Sequence, residues 1–451
     1  MIAPALARWV VSTGDIPVEV RRAAQRHLFD GLGTALGALR TGQVPAAVPV
    51  ATDLGGPPEA TIWGQPDKVS APAAGLANGS LVHALDFDDT HAGGLIHATA
   101  VVLPAALAVG EQVRATGADV LEAAVVGYEV ACRVAAAAPN GFHARGLHST
   151  MAAGVFSSAA VTARLLGMDL AQTTNALGIA GSQAGGLLAF LATGASTKQL
   201  HPGFASQSGI LAARLAAAGA TGPETVFDGP HGLYDTLVDG PADPASIVAD
   251  LGVRWETTRI GIKPYPACQL SHATLDAVRD ARARRPFEVT EVVRLTAQVH
   301  PDSAAVVCDA TRDLTRPASD YAAKFSLPWS VAALLVDGSV GLDTFEEVSI
   351  RRPEVADLAG RVVVEITVPD GVAADAPGDV RIELADGTTV TGHVDRSAGG
   401  PDNPLTDALL IEKATGLAGI DATPLFAALA VLDDQPDLTA LLAVLDSLAP
   451  H

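Results

Sequence analysis

Cysteine is nearly absent: Cys132, Cys268 and Cys308 are the three in 451 residues, and no two form a Cys-x-x-Cys pair. A disulfide framework and a cysteine-ligated cluster are therefore excluded, and the reducing cytoplasm is the expected compartment. Aromatic residues make up 4% and charged residues 18%, so the core has to be built from small aliphatic side chains. Positive charge is scarce, with 29 Lys and Arg against 50 Asp and Glu and a formal net charge of −21. A surface of that sign repels nucleic-acid phosphates and anionic membranes, and neither is an expected partner. A long apolar run is also missing. The longest uncharged stretch, residues 170–197, is interrupted by Gly181, Ser182, Gln183, Gly185, Gly186 and Gly194, and reads as buried helix and turn rather than a membrane span. At the start of the chain the positive charge, Arg8, follows the apolar residues and no cleavage pattern comes after it, so no signal peptide is expected.

What is present is alanine-rich and small. Hydrophobic residues reach 49%, and a chain of this length exceeds what one core usually supports, so two domains are expected. Residues 18–39 carry Val20, Ala24, Leu28, Leu32 and Leu39 at helical spacing behind Asp15-Ile-Pro17, which looks like a cap followed by a first-turn proline. Residues 71–219 form a series of Ala-rich segments punctuated by glycine, at 101–116, 117–136, 149–166 and 170–191, suited to packed helices. The pattern changes after Trp255. Residues 292–299 alternate, with Val293, Leu295, Ala297 and Val299 on one face, and 361–368 and 380–384 repeat the alternation. Ala385-Asp386-Gly387 then gives a hairpin signal before 388–394. The expected architecture is mainly α: a large all-helical domain from both chain ends (1–255 and 403–451) with a smaller inserted α+β domain (256–402).

Proton-handling groups are densest in residues 83–97, where His83, Asp86, Asp88, Asp89, Thr90, His91 and His97 lie between two apolar stretches. Burial there would shift pKa values and suits acid–base chemistry, with Asp86 partnering an imidazole and His91 or His97 moving protons. The same groups could bind a divalent metal, although no recognised ligand spacing is matched. Asp88 and Asp89 could also simply cap a helix. A second cluster, Gly141-Phe-His143-Ala-Arg145-Gly-Leu-His148-Ser149-Thr150, runs into a helix and suits an anion. A third is Ser196-Thr197-Lys198-Gln-Leu-His201, whose lysine is the first charge after the uncharged run. A fourth is Lys263-Pro-Tyr-Pro266-Ala-Cys268-Gln-Leu-Ser271-His272, held extended by two prolines at the expected domain junction. Against so acidic a background, Arg145, Lys198 and Lys263 are the cations a small anionic substrate would need.

These motifs, with Leu85-Asp86-Phe-Asp-Asp-Thr90-His91 in front and Lys324-Phe-Ser-Leu-Pro328 behind, resemble the MmgE/PrpD family, in order and over nearly the whole chain. That family includes 2-methylcitrate dehydratases, cis-aconitate decarboxylases and an iminodisuccinate epimerase. The resemblance implies a helical domain from both chain ends, an inserted α+β domain, a homodimer and a site that works without a cofactor. It places Asp86, His97, His148, Lys198 and Lys263 as catalytic residues. Thr90, His91, Arg145, Cys268, His272 and Trp329 are expected around the substrate. Trp329 stands where the family commonly has tyrosine after the Phe-Ser-Leu-Pro run; an indole is bulkier than a phenol and offers no hydroxyl. The expected reaction is α-proton chemistry on a small di- or tricarboxylate, with 2-methylcitrate-type dehydration as the first reading. Decarboxylation of cis-aconitate and epimerisation share its carbanion-like step. A metal-dependent hydrolase centred on residues 83–97, and a carboxylate-binding or scaffold protein without catalysis, are the readings from other classes.

Overall fold

Alanine and glycine decide how closely the helices of this chain approach one another. The computed structural model describes residues 1–367 and 377–450. Two units emerge, one made of Met1–Phe190, Thr197–Ile262 and Thr406–His451, the other of Leu191–Ser196 and Lys263–Leu405. The architecture is mainly α, as the composition predicts.

The first unit contains α1 (Ile2–Ser12), α2 (Val18–Arg40), α3 (Ala47–Leu54), the short antiparallel pair β1 (Ala60–Thr61) and β2 (Lys68–Val69), and α4 (Ala71–His83). It continues through α5 (Thr99–Val113), α6 (Gly117–Ala136), α7 (Gly141–Ala144), α8 (Ser149–Leu165), α9 (Leu170–Gly181), α10 (Thr197–Ala217) and α11 (Leu233–Leu237). Helices Asp407–Ala418, Thr423–Ala430 and Thr439–Leu448 complete it. Every residue of α4 is buried, and α10 packs on both α4 and α8. Glycines set those crossings. A Cβ on Gly203 would lie 2.3 Å from the Leu76 carbonyl oxygen, and one on Gly79 would lie 2.9 Å from the Gly203 Cα. Any larger residue would push α10 off α4. Lys198, in the first turn of α10, takes its place from that contact.

Two sequence expectations need correction here. The segment 170–191 is not one helix. It is α9, then an irregular stretch with Gly186 at φ +92°, then a short 3₁₀ turn Leu188–Ala192. Among the described residues no helix is long and apolar enough to cross a membrane. Asp15 does not cap α2; Pro17 occupies the cap position and no side chain bonds there.

In the second unit a four-stranded sheet has the order β4-β3-β5-β6, with β3 (Val292–Val299), β4 (Val362–Ile366), β5 (Gly378–Leu384) and β6 (Thr389–Val394). β3 and β4 are parallel and the other pairs antiparallel. The predicted alternation in β3 fails at its start, because a register shift between Val292 and Arg294 leaves Val293 exposed and Val292 buried. A β-bulge adds one residue and turns the neighbouring side chains to the other face. The turn after β5 is as predicted: Gly387 has φ +83° and donates to the Leu384 carbonyl, while Asp386 accepts from the Thr388 amide at 2.8 Å. The end of the predicted strand 361–368 lies outside the described residues. α12 (His272–Arg284) covers β5 and β6 through Gly378 and Gly392, whose added Cβ atoms would collide with the Ala273 and Ala277 carbonyls.

Candidate active site

The site in the first unit begins where α4 stops. The helix ends at His83, the Asp86 amide bonds back to the His83 carbonyl at 3.1 Å, and Asp86 adopts φ +54°. Few side chains other than Asn and Asp tolerate that left-handed conformation. The turn aims the buried Asp86 carboxylate at Lys198, whose Nζ donates to Oδ1 at 2.9 Å. Both groups are at least 95% removed from solvent (Asp86 0% and Lys198 5% exposed). In that setting each charge depends on the other, since a lone buried charge is far costlier than a pair.

Asp88 serves two imidazoles. Both of its oxygens lie 2.9 Å from His83 Nδ1, and Oδ2 is 3.5 Å from His97 Nδ1. His97 Nδ1 also faces the Asp89 backbone carbonyl at 2.9 Å and the Thr90 hydroxyl at 3.4 Å. A carbonyl can only accept, so Nδ1 carries the hydrogen, and Nε2 is the nitrogen turned toward Asp86, 3.8 Å from Oδ1. The second imidazole centre is His148, at the cap of α8. Its Nδ1 lies 3.0 Å from His201 Nδ1 and its Nε2 3.0 Å from the Thr150 hydroxyl, which also accepts from the His97 amide at 3.2 Å. Burial first, then the Lys198 charge and the neighbouring imidazoles, push His148 well below the usual histidine range. Burial, His83 and Lys198 hold His201 at about 4, and burial with Lys198 holds His143 at about 4. These rings are neutral at physiological pH, able to accept a proton but poor at keeping one.

Ring contacts make the cluster continuous. His83 meets His97 edge-on at 4.5 Å and stacks on His148 at 5.7 Å, and His143 stacks on His148 at 6.2 Å. Donor atoms of His83, His97 and His148 lie within 4.8 Å of one another, as do those of His83, Asp86, Asp88 and His97. That spacing would admit a metal ion, but in this arrangement the two carboxylates already face cationic or N–H groups, Asp86 the Lys198 ammonium and Asp88 the His83 ring.

Asp86, Thr90, His97, His148 and Lys198 are thus brought together. His91 turns away, its Nε2 3.1 Å from Glu256. Arg145 follows α7 on the exposed surface. Lys263, Cys268, His272 and Trp329 belong to the second unit. There Lys263 is buried, the Cys268 amide donates to the Lys324 carbonyl at 3.0 Å, and His272 Nε2 bonds the Ala267 carbonyl at 3.0 Å. Trp329 is fully buried in the core of that unit. Asp89 does cap a helix, but the helix is α5: its carboxylate accepts from the Thr99 amide at 3.0 Å and from the Thr99 hydroxyl. His83, Asp88, Thr150 and His201 were visible inside the quoted motifs, yet nothing in the residue pattern separates them from structural neighbours. Their role depends on which ring nitrogen meets which carboxylate.

The motif order, the Asp86–Lys198 pair and the imidazole cluster coincide with a family-level match: the MmgE/PrpD N-terminal domain over residues 4–245 and the MmgE/PrpD C-terminal domain over residues 265–423. The chain belongs to the MmgE/PrpD family. It is accordingly an MmgE/PrpD-type enzyme of the lyase or epimerase kind. Among MmgE/PrpD relatives, it is 29% identical over 435 residues to a cis-aconitate decarboxylase of Aspergillus terreus, covering 91% of this chain and 87% of the relative. To the cis-aconitate decarboxylase of Homo sapiens it is 29% identical over 416 residues, covering 89% and 84%.

Proposed function

We propose that this enzyme decarboxylates cis-aconitate or a close unsaturated tricarboxylate without a cofactor, in the cytoplasm and as a homodimer. The observation that carries the reading is the buried Asp86–Lys198 pair set against the imidazoles of His97 and His148. The relatives named for that reaction favour it over the 2-methylcitrate dehydration read first from the sequence.

The chemistry asks for little else. Loss of CO₂ leaves the electron pair of the broken C–C bond delocalised through the double bond onto a carbon beside a carboxylate, and one proton closes that carbon. A tricarboxylate trianion plus one proton yields a dicarboxylate dianion plus CO₂. Lys198 would stabilise the developing charge, Asp86 would hold Lys198 in place, and His97, with Nδ1–H fixed by the Asp89 carbonyl, would deliver a proton from Nε2. His148, linked to Thr150 and His201, is the second proton-transfer group. Thr90 would hydrogen-bond a substrate oxygen.

Proton NMR over citrate, 2-methylcitrate, cis-aconitate and amino-dicarboxylates, with CO₂ measured in parallel, tests the reading. The expected result is consumption of cis-aconitate with one CO₂ released and one proton taken up per turnover. Dehydration of 2-methylcitrate without CO₂ would overturn it in favour of a dehydratase. Wild-type rates in the His97→Ala and His148→Ala variants would overturn the assignment of roles.

A further inference from the structure

His83 is the group in this cluster that the reaction as written leaves unused. Its imidazole is fully buried, with Nδ1 held by both Asp88 oxygens at 2.9 Å. The opposite nitrogen, Nε2, has no hydrogen-bond partner among the described residues. A packed imidazole with one nitrogen clamped and the other unsatisfied is costly as mere filling, since a buried polar atom normally finds a partner. The ring lies edge-on to His97 at 4.5 Å, and ring nitrogens of His83, His97 and His148 lie within 4.8 Å of one another. That span is closed by a small ring movement or by one bridging water.

The carboxylate behind the two rings gives the arrangement its sense. Asp88 faces Nδ1 of His83 at 2.9 Å and Nδ1 of His97 at 3.5 Å, so one anion supports an imidazolium at either position. Two imidazoliums at this separation repel each other, so the pair favours a single extra proton. The groups facing that proton are Asp88 and Asp86 as anions, Lys198 as a cation, and the His148 and His201 rings.

We propose that His83, seated on Asp88, is a positioning residue that stores the extra proton and returns it to His97 after each turnover. The proposal rests on the decarboxylase reading, because that reaction consumes one proton per cycle inside a buried site. In the step, the His83 Nε2–H bond breaks and its proton joins the Nε2 lone pair of neutral His97. His83 is left neutral with Nδ1–H still on Asp88, and water supplies the next proton.

The test compares wild type with His83→Asn, whose amide can still donate to Asp88 but cannot carry the extra proton. In cis-aconitate turnover the variant should lose about 10- to 100-fold in kcat with KM little changed, and added imidazole should restore part of the loss. A variant with the wild-type pH profile, or a loss that no small acid rescues, overturns the proposal. ¹⁵N NMR of the imidazoles in wild-type protein provides a second readout that does not need the variant to fold. One proton shared between His83 and His97 supports the store, whereas a His83 Nε2 that stays bare from pH 5 to 8 refutes it. Failure of the decarboxylase reading shows separately, as absence of CO₂ from cis-aconitate with wild-type protein.

Discussion

Residues 83–97 contain two corners with the same residue types and the same burial, wired in opposite ways. At one corner Asp86 and Asp88 face Lys198, His83 and His97, so each carboxylate charge meets a cation or an imidazole N–H. At the other, Asp89 is surrounded by neutral donors: the Thr99 amide, the Thr99 hydroxyl and behind it Tyr128 at 2.8 Å. Its nearest imidazole, His27, already commits Nε2 to the Thr257 carbonyl at 3.0 Å, so a neutral His27 turns a bare Nδ1 toward Asp89 at 3.4 Å. Burial raises Asp89 to about 8 and lowers His27 to about 4. A protonated Asp89 opposite a neutral imidazole satisfies both shifts. Burial alone therefore does not make a working carboxylate; what balances its charge does.

The sharpest way to break the contrast is to remove the cation. Lys198→Met should cut cis-aconitate turnover at least about 100-fold, through lost stabilisation of the developing charge. It should also cost about 3–5 kcal/mol of stability, because the buried Asp86 charge loses the ammonium that balances it. Adding Asp86→Asn should restore most of the urea midpoint but none of the activity. If Lys198→Met keeps both, the pair is not what holds this corner.

A milder perturbation concerns the anchor of the same loop at His91. Burial works against ionisation of Glu256, but the His91 hydrogen bond and charge, with Arg254 and Arg133, outweigh it and hold the carboxyl down at about 2. A depressed folded pKa contributes stability that is fully present above the ordinary value near 4.5 and is lost as pH falls toward 2. Glu256→Gln should lower stability by about 1–3 kcal/mol at neutral pH, lose its disadvantage on acidification, and leave kcat within about twofold. Thermal melts from pH 2 to 7 measure this.

Asp89→Asn should have the smallest effect at low pH and the most telling dependence on pH. The folded carboxyl is raised above its unfolded value of 3.8, so its contribution is most favourable below that value and declines as pH rises to about 8. Wild type should lose melting temperature between pH 5 and 8 more steeply than Asp89→Asn, with turnover nearly unchanged. Equal slopes would mean that Asp89 is ionised and that the two corners are alike after all.

Much of this organisation was legible before any coordinates. The scarcity of aromatics and abundance of alanine announce a helical chain, and the hairpin at Asp386-Gly387 and the strands around 295–299 and 380–384 follow from alternation and turn chemistry. Val293 did not, because a bulge is a tertiary choice of register. The dense run 83–97 marked the site, yet it could not rank its own carboxylates. Asp86, Asp88 and Asp89 are within four positions of one another, and their different fates depend on residues more than 100 positions away in one case and 10 or fewer in the others.

The chain's sequence alone determined its family, its helical class and which short stretches hold the proton-handling groups, because these depend on composition, spacing and motif order. Only the tertiary structure decided which groups act together. Gly79 and Gly203 let α10 close on α4, and that contact delivers Lys198 to Asp86. The left-handed turn at Asp86 and the Asp89 carbonyl then set which nitrogen of His97 faces Asp86. Partnership between buried charges is a matter of ångströms between helices, and no linear pattern encodes it.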